Sequence, residues 1–391
     1  MANGSQVPQS RNLSIVPPSY LLSGEDGRVD TSSENPFILP HSQSDDMDKL
    51  RFGVVGAGTI GSLHADDVKR SKKTELVAIC DVREDRAKKL ARKLKVHKIY
   101  TDYLDMLNNE NLDGIVNATP NYLHAKIAID AMEKGVNVLS EKPMAMNAQE
   151  AQTMVDAAKR TGKILGLGMT QRFTGEGVAA KAAATPENLG KVYFAKATLY
   201  RTLGAPGFGS WFTTKSQSGG GPLMDLGPHA IDFAMYLMGF PKPLRARGVT
   251  FSELGPKGLG VGTWGFRESG GKFDVEDLAV ALVELAGGIT MLVEVSWATY
   301  IDDYWNVHVL GDKAGITYRP PHLISERRGK LKVTNLKVKK VKPYLQEVED
   351  LAQCIRTGKE PLGRPEDGVV IMRIIDAIYR SAQTGTEVLV Y

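Results

Sequence analysis

Residues 50–61 read Leu-Arg-Phe-Gly-Val-Val-Gly-Ala-Gly-Thr-Ile-Gly, a short apolar strand followed by the pattern G-x-G-x-x-G. In such a turn the first glycine permits a tight bend, the second lets the backbone approach a pyrophosphate, and the third allows the helix to pack closely on the strand. The phosphates then meet free N–H groups and the positive end of the helix dipole. The stretch therefore predicts a dinucleotide site with cofactor contacts from Gly56, Gly58, Thr59, Ile60 and Gly61.

A second apolar stretch, residues 76–80, ends in Asp81, twenty residues after Gly61. A carboxylate at this spacing accepts hydrogen bonds from the adenosine ribose, although Asp81 could instead cap the helix that begins near Arg86. Its charge repels a 2′-phosphate, which favours NAD as the cofactor. Arg83 could pair with such a phosphate or stack on the adenine, so NADP stays possible. We predict that Asp81 and Arg83 both contact the cofactor.

Strands and helices alternate at regular spacing from residue 50 to residue 167. This alternation predicts an α/β fold with a doubly wound parallel sheet, whose ligands lie at the carboxyl ends of the strands.

One of these strands is followed by Lys142 and Pro143. The proline restricts Lys142 to extended geometry and permits a cis bond, which indicates a loop of defined shape. Lys142 could instead be an ordinary surface lysine, and His124, in the first turn of a predicted helix, could be a purely structural histidine. Further cofactor contacts are expected from the residues that follow two of these strands: Thr119, Pro120, Asn121, His124, Glu141 and Lys142.

A second polar group lies in residues 219–232, which read Gly-Gly-Gly-Pro-Leu-Met-Asp-Leu-Gly-Pro-His-Ala-Ile-Asp. If a helix begins at Asp225, Pro228 falls in its first turn, where a missing N–H is tolerated. Asp225, His229 and Asp232 then share one face of an otherwise apolar helix. One interpretation is a capping aspartate with a satisfied buried histidine. The other is a histidine that a carboxylate orients to move a proton.

Together these motifs resemble the Gfo/Idh/MocA oxidoreductases, and the resemblance runs from about residue 49 to the C-terminus. It rests on the glycine turn, on Thr-Pro-Asn at 119–121 with the later histidine, on Glu-Lys-Pro at 141–143, and on Gly-Gly-Gly at 219–221 before Asp225 and His229. The resemblance implies a Rossmann domain followed by an α+β domain with a large open, mostly antiparallel sheet, and a substrate held between them. It also implies a homo-oligomer, either a dimer or a tetramer.

The resemblance further implies reversible hydride transfer between the nicotinamide and a secondary alcohol or ketone of a sugar, inositol or sugar derivative. Its catalytic residues map onto Lys142, Asp225 and His229. His229 is the candidate base, oriented by Asp225, and Lys142 would stabilise the charge that develops on the reacting oxygen. Lys142 could also share the proton transfer, and the sequence does not divide the two roles.

Substrate contacts are expected from these three residues and from positions that precede them in the second domain. Arg172 follows the last predicted parallel strand, while Arg201 and Trp211 lie in the segment before the Asp-His pair. Each has a structural alternative, because arginines tie loops together at domain boundaries and aromatic residues fill cores. Trp297 and the aromatic residues after it are interpreted as core or interface.

Two other functions are compatible with the motifs. In one, the cofactor stays tightly bound and is recycled within each turnover, as in glucose-fructose oxidoreductase or the redox-assisted glycosidases that resemble this family. In the other, the protein is a non-enzymatic NAD-binding regulator. Lys142, Asp225 and His229 argue against a regulator, because a sensor needs none of that chemistry.

Composition excludes several other classes of protein. The 391 residues, 42% of them hydrophobic, suffice for two domains with sizeable cores. A net charge of +4 gives no reason to expect nucleic acid as a partner. Cys80 and Cys354 lie in apolar contexts, so we predict neither a disulfide framework nor a metal site. No apolar stretch is long enough to suggest a membrane span.

Three regions are predicted along the chain. Residues 1–46, rich in Ser, Pro, Asn and Asp, read as a disordered N-terminal extension or as an arm that embraces a neighbouring subunit. They lack the pattern of a secretory signal, so we expect a cytoplasmic protein. Residues 47–169 are predicted to form the NAD(P)-binding Rossmann domain, and residues 170–391 the substrate-binding and oligomerisation domain.

Overall fold

The computed structural model describes residues 48–265, 267–268 and 270–391. The predicted N-terminal extension, residues 1–46, lies outside the described residues. Two β-sheets organise the described part of the chain.

The first sheet is built from strands that alternate with helices along the chain. Its strands are β1 (Leu50–Val55), β2 (Thr74–Cys80), β3 (Lys98–Tyr100), β4 (Gly114–Asn117), β5 (Asn137–Ser140) and β6 (Leu165–Leu167). The helices between them are α1 (Thr59–Arg70), α2 (Glu84–Leu94), α3 (Tyr103–Asn109), α4 (His124–Glu133) and α5 (Ala148–Thr161). The six strands are parallel in the order β3-β2-β1-β4-β5-β6, which is the Rossmann order. The predicted doubly wound parallel sheet is confirmed.

Both faces of this sheet are buried, because side chains of its central strands alternate between two cores. Phe52, Val54 and Val116 belong to one core, while Val55 and Ile115 belong to the other. Successive side chains of a strand point to opposite faces, so a strand covered on both sides reads as a continuous apolar run. This is why residues 52–55 and 115–116 lack the alternation of a half-exposed strand.

The second sheet is larger and mostly antiparallel. Its strands are β7 (Val192–Tyr200), β8 (Pro243–Phe251), β9 (Leu278–Leu285), β10 (Ile289–Ser296), β11 (Tyr304–Gly311), β12 (Ala314–Thr317), β13 (His322–Arg327), β14 (Lys330–Asn335) and β15 (Val388–Leu389). The nine described strands run in the order β14-β13-β12-β11-β7-β10-β9-β8-β15, and the parallel pair is β10 with β7. The predicted α+β architecture with a large open sheet is confirmed.

Helices cover one face of the second sheet and leave much of the other open. The helices of this half are α6 (Gly175–Ala183), α7 (Pro186–Leu189), α8 (Lys215–Ser218), α9 (Pro222–Asp225), α10 (Gly227–Met238), α11 (Pro343–Thr357) and α12 (Pro365–Thr384). Helix α10 packs on β7, β10 and β11, and α12 packs on β8. On the opposite face Val249, Phe251 and Leu282 are exposed.

Helix α11 follows the second sheet in the chain but packs against the first. Its residues Val348 and Leu351 belong to the same core as Phe52, and the helix contacts α1. Residues from the C-terminal part of the chain therefore lie close to the end of β5. None of the described helices combines the length and apolar composition that a membrane crossing needs.

Candidate active site

The glycine turn after β1 has the shape that a dinucleotide requires. Gly56 has φ of +97°, and a Cβ there would lie 2.4 Å from the Ala118 carbonyl oxygen. A Cβ on Gly61 would lie 1.8 Å from the carbonyl oxygen of Gly56, so only glycine allows this close packing of helix on strand. A Cβ on Gly58 would meet no atom within 4 Å. Gly58 therefore faces open space at the start of α1, where a pyrophosphate can approach the backbone.

The start of α1 and the end of β2 complete this cradle. Helix α1 begins at Thr59 without a side-chain cap and without an acidic residue in its first turn, so its positive end stays available to an anion. The Asp81 carboxylate accepts hydrogen bonds from the backbone N–H groups of Ala57, at 2.7 Å, and Arg83, at 2.8 Å. Each oxygen keeps a lone pair for a ribose hydroxyl. The residues present thus fit NAD.

The Arg83 side chain has a partner of its own. Its guanidinium forms two hydrogen bonds to the carboxylate of Asp85, at 3.1 and 3.2 Å, on the protein surface. A guanidinium already paired with a carboxylate is a weaker site for a 2′-phosphate. The structure therefore gives no preformed phosphate site at Arg83.

The residues after β4 bind other parts of the protein. The Asn121 side chain donates to the Ser218 carbonyl oxygen at 2.7 Å, which joins this loop to α8. His124 is buried, and its two ring nitrogens lie 2.7 Å from the Pro143 oxygen and 2.8 Å from the Thr119 oxygen. Burial lowers the pKa of His124. His124 thus holds the loops after β4 and β5 together, while Asn121 joins the first of these loops to α8. Their predicted cofactor contacts remain predictions.

Lys142, at the carboxyl end of β5, is fixed by a residue of the second half of the chain. Its ammonium donates to the carboxylate of Asp225 and to the Asp225 carbonyl oxygen, both at 2.8 Å. The other carboxylate oxygen of Asp225 accepts from the indole N–H of Trp297 at 2.9 Å. The Lys142 side chain is 14% exposed and that of Asp225 is 9% exposed. The Lys142–Pro143 peptide bond is cis.

Asp225 is ionised in this setting. Burial alone would raise its pKa, but the charges of Lys142 and Arg201 and the hydrogen bonds from Lys142 and Trp297 lower the pKa of Asp225 to about 2. The carboxylate is therefore charged at any physiological pH. It holds the Lys142 ammonium as an ion pair in a site that is largely shielded from water.

The predicted helix start at Asp225 is wrong. Asp225 is the last residue of the short helix α9, and α10 begins two residues later, at Gly227. The buried carboxylate of Glu276 accepts from the backbone N–H groups of Gly221, at 3.0 Å, and Leu223, at 3.1 Å, which satisfies the first turn of α9. This contact, from a residue far along the chain, stabilises a helix that begins at Pro222, before the predicted start.

His229 lies in the first turn of α10, near the ion pair but without a hydrogen bond to it among the described residues. Its Nδ1 is buried and has no hydrogen-bond partner in the described part of the chain. Burial and the charge of Lys142 lower the pKa of His229 to about 3, so the ring is neutral. The carboxylate oxygens of Asp225 accept from Lys142 and Trp297, and the orientation of His229 by Asp225 stays a prediction.

Arg201 lies beside the same site, and an aromatic group continues from it. The Arg201 guanidinium is 5.4 Å from the ring of Trp264, Trp264 packs edge-on against Phe212 at 5.3 Å, and Phe212 stacks on Trp211 at 3.8 Å. Arg201 lowers the pKa of both Asp225 and His229, which indicates its proximity to them. The structure thus places Arg201 near the ion pair and connects it to Trp211 through two intervening aromatic rings. The substrate contacts of both residues remain predictions.

Arg172, also predicted to bind substrate, has a different place. Its side chain is 1% exposed and bonds to the carboxylates of Asp232, at 2.6 and 3.1 Å, and Asp367, at 2.9 Å. A further N–H donates to the Leu362 carbonyl oxygen at 2.6 Å. Arg172 therefore joins α10 to α12 inside the protein. The structure favours the structural alternative and corrects the substrate-binding prediction.

Two contributors to the site were missed or misread in the sequence. Trp297 follows β10 and was interpreted as core or interface, but its fully buried ring binds Asp225. Glu276, which precedes β9, was not singled out at all. The available signal was weak, consisting of an acidic pair at residues 276–277 just before an apolar strand.

Comparison with known proteins agrees with this geometry. Residues 50–169 match the profile of the GFO/IDH/MocA oxidoreductase family with its NAD-binding Rossmann fold, and residues 178–317 match that of the GFO/IDH/MocA C-terminal domain. D-glucoside 3-dehydrogenase of Escherichia coli K12 is 32% identical over 345 residues, which are 87% of this chain and 97% of that protein. Myo-inositol 2-dehydrogenase of Thermotoga maritima is 25% identical over 344 residues, which are 85% of this chain and 96% of that protein.

A similar fold occurs among solved structures. Levoglucosan dehydrogenase, in complex with NADH and levoglucosan, superposes with a TM-score of 0.77 over 88% of this chain and 100% of that one, at 22% identity. At this identity the likeness concerns the fold. It extends over both sheets, since the aligned region covers nearly all of the described chain.

Proposed function

The chain belongs to the Gfo/Idh/MocA family of oxidoreductases, and we propose that it is a dehydrogenase or reductase that acts on a secondary alcohol or ketone of a sugar, inositol or sugar derivative. The match of residues 50–169 confirms the family and the NAD-binding Rossmann domain that the sequence motifs predicted. The observation that supports the proposal best is the Lys142 ammonium, held on the ionised carboxylate of Asp225 at the carboxyl end of β5.

The Lys142 ammonium can serve as a donor to the reacting oxygen. An ammonium has three N–H donors, and Asp225 occupies two of them. The third is available to a substrate oxygen, whose negative charge grows as its proton leaves. Because the ion pair is largely shielded from water, this donor stabilises the developing charge more than an exposed lysine would. Lys142 then acts as an electrostatic catalyst, and Asp225 positions it.

His229 is the proposed proton acceptor for alcohol oxidation. Its ring is neutral, so it can take up the hydroxyl proton, and in the reverse direction it returns the proton to the product oxygen. Burial, the nearby Lys142 charge and the lack of a partner at Nδ1 keep the free ring from holding a proton. The ring is therefore available to accept the hydroxyl proton of a bound substrate.

The bound nicotinamide supplies a site that accepts or gives up a hydride. The residues proposed to hold NAD are those of the glycine turn, together with Asp81. The Asp81 carboxylate and the pairing of Arg83 with Asp85 both favour NAD over NADP. We extend the proposal to this preference.

The proposed substrate class follows from the lining of the site and from the relatives. Arg201 offers a guanidinium to ring hydroxyls, and Trp211 and Trp264 offer flat apolar faces, a combination that suits a sugar ring. The 32% identical relative is named for oxidation of glucosides at C3. We therefore rank glucosides ahead of inositols and anhydrosugars as substrates.

A substrate panel tests this proposal. Purified protein is incubated with glucosides, aldoses, inositols and anhydrosugars, with NAD and NADP in parallel, and absorbance of the reduced nicotinamide is followed. We expect turnover with at least one glucoside and a higher kcat/KM with NAD. Nicotinamide retained through purification, together with no net NADH from any alcohol, would favour the alternative in which the cofactor is recycled within each turnover.

Three further statements stay predictions. The division into residues 47–169 and 170–391 fits the end of the parallel sheet at β6 and the start of the second sheet at β7. A homo-oligomer is supported by the exposed apolar residues on the open face of the second sheet, and the mass of the protein in solution tests it. The cytoplasmic location rests on the sequence pattern described above.

A further inference from the structure

Next to Lys142 lies a buried group of three titratable side chains, which the proposed reaction does not use. They are His64 of α1, Glu141 after β5, and Glu347 of α11, and they are 0%, 7% and 1% exposed, respectively. One nitrogen or oxygen from each lies within 4.8 Å of the others. Because three parts of the chain contribute to it, sequence spacing does not reveal the group.

The partners of His64 determine which of its nitrogens carries a proton. Nε2 lies 2.7 Å from a carboxylate oxygen of Glu141, and Nδ1 has no hydrogen-bond partner among the described residues. A doubly protonated ring would bury the Nδ1 N–H without an acceptor, at a substantial cost in free energy. The edge of Tyr344 also packs on the ring, with centroids 5.2 Å apart. The geometry therefore places a proton on Nε2, which donates to Glu141.

The two carboxyl groups differ in their donors. Glu141 accepts from His64 and from the backbone N–H of Lys142, the latter at 3.1 Å. Neither oxygen of Glu347 has a hydrogen-bond partner in the part of the chain that the structure describes. Two ionised carboxylates that are both buried and lie within 4.8 Å of each other repel strongly, and a proton on one of them relieves this repulsion. The proton needed to relieve them belongs on Glu347, which lacks donors.

We propose that Glu347 is a neutral carboxylic acid at physiological pH, that it donates a hydrogen bond to Glu141, and that it thereby positions Lys142. A protonated Glu347 has an O–H to give, and a carboxylate oxygen of Glu141 lies within 4.8 Å of a Glu347 oxygen. Glu141 in turn holds the backbone of Lys142. Glu347 is a positioning residue, and this part of the inference rests on the catalytic role proposed for Lys142. The protonation of Glu347 does not depend on the role of Lys142.

The charges around Glu347 agree with this assignment. Burial and the charge of Glu141 raise the pKa of Glu347 well above its usual value, and Asp350 of α11 and Asp67 of α1 add to the shift. The Thr170 hydroxyl opposes it, although it makes no hydrogen bond of ordinary geometry with Glu347. Conversely, His64 and Lys142 keep the pKa of Glu141 below its usual value despite burial.

Deprotonation of Glu347 at alkaline pH has a definite consequence. A carboxyl whose pKa is raised by folding contributes stability at low pH and loses that contribution as the pH rises toward the folded-state pKa. Above it, two neighbouring carboxylates repel and Glu141 no longer holds Lys142 in place. Activity should therefore fall on the alkaline side as Glu347 loses its proton.

A divalent cation bound by the same three side chains is the alternative. Two ligands, each about 2.1 Å from a tetrahedral zinc ion, lie about 3.4 Å apart. The distance of 2.7 Å between His64 Nε2 and Glu141 is that of a hydrogen bond. The geometry therefore favours a proton over a metal ion.

Infrared difference spectroscopy tests the protonation without any turnover. The parent protein and Glu347→Gln are compared at pH 7, and the C=O stretch of a neutral carboxylic acid is sought in their difference spectrum. We expect this band in the parent and in the control Glu349→Gln, which makes the same chemical change on the same helix, and its loss in Glu347→Gln. Absence of the band from the parent, or stoichiometric zinc or manganese in the purified protein, overturns the proposal. A failed substrate panel leaves this result intact.

Kinetics of two variants test the positioning role. The amide of Glu347→Gln still donates to Glu141 but does not titrate, so we expect kcat within about fivefold of the parent at pH 7 and no alkaline fall due to this group. Glu347→Ala removes the donor, and we expect kcat to drop roughly tenfold or more, with NAD affinity retained. Equal losses in the two variants, with melting curves that match the parent, would contradict a role for the shared proton.

Discussion

The protein contains two buried cation–carboxylate groups, and they differ in how far the cation is exposed. The Arg172 side chain is 1% exposed and donates to Asp232, Asp367 and a backbone carbonyl. The Lys142 side chain is 14% exposed and gives two of its three N–H donors to Asp225. The first cation is enclosed by the protein and joins two helices. The second combines a free N–H donor with exposed surface through which a substrate oxygen can reach it, and this accessibility separates a site from a structural ion pair.

The largest expected effect is on stability and concerns the first group. Arg172→Ala leaves the carboxylates of Asp232 and Asp367 buried without their cation, and we expect the free energy of unfolding to fall by about 3–5 kcal/mol. Urea denaturation measures it. Arg160→Ala, which removes an exposed pair with Glu133, is the control and should change little. If Arg172→Ala unfolds like the control, the group is not what holds α10 to α12.

The second prediction concerns catalysis at Lys142. Lys142→Met keeps the length of the side chain but removes the donor, and we expect kcat to fall roughly 10²- to 10³-fold while NAD still binds. Steady-state rates and a fluorescence titration with NADH measure the two quantities. The matched control is Lys181→Met, because Lys181 is also partly buried but donates to the Tyr236 carbonyl. A parent-like rate for Lys142→Met would falsify the catalytic role.

A smaller effect is expected from Trp297, which supports the ion pair from behind. Trp297→Phe keeps the ring but removes the N–H that Asp225 accepts, and we expect kcat to fall about tenfold because the carboxylate is held less firmly. Trp305→Phe is the control, since Trp305 packs on Tyr318. If Trp297→Phe and Trp305→Phe show the same kcat in steady-state assays, the N–H of Trp297 does not support the ion pair.

The smallest expected effect concerns the pH dependence of kcat/KM for oxidation, which should be flat in the range where a histidine ordinarily titrates. His229 has its pKa lowered from 6.5 to about 3 by burial and by Lys142, so it stays neutral where a histidine ordinarily titrates. We expect kcat/KM for oxidation to show no acidic fall due to this histidine between about pH 5 and 8. A fall in kcat/KM centred near the ordinary histidine pKa, present in the parent and absent from His229→Gln, would show that water reaches His229 more freely than the structure indicates.

Stability has a matching pH dependence with a definite sign. Below the unfolded-state pKa, the unfolded chain protonates His229 while the folded protein does not, so folding is disfavoured progressively as the pH falls from about 6.5 toward 3. His229→Gln should lose less stability over this range. Thermal melts of the two proteins across these pH values measure the difference.

Much of the dinucleotide-binding domain was predictable because each motif that indicates it lies within a few residues of the chain. The glycine turn, the acid after β2 and the Glu-Lys-Pro motif each depend on residues adjacent in the chain, and backbone geometry dictates them. The substrate half was harder to predict. The sequence was compatible with a helix that begins at Asp225, but Glu276, 55 residues after Gly221, satisfies the N–H groups of an earlier turn, and the residues form two helices.

The partners of the polar residues were also beyond local reasoning. In the sequence, Arg172 and Arg201 were equally good candidates for substrate binding. In the structure, Arg172 is enclosed by Asp232 and Asp367, whereas Arg201 lies beside Asp225. Trp297 could not be told from a core tryptophan, because what matters is the carboxylate that its N–H meets. The hydrogen bonds of Arg172 and Trp297 join residues that are at least 60 positions apart.

The amino-acid sequence by itself determined the Rossmann sheet, the dinucleotide turn and the presence of a lysine at a strand end, because strand periodicity and glycine conformation act over a few residues. Only the tertiary structure decided that Lys142 is paired with Asp225, that His229 is neutral, and that Glu347 lies against Glu141. The physical reason is burial: the protonation and bonding capacity of a charged group depend on which distant side chains exclude water from it.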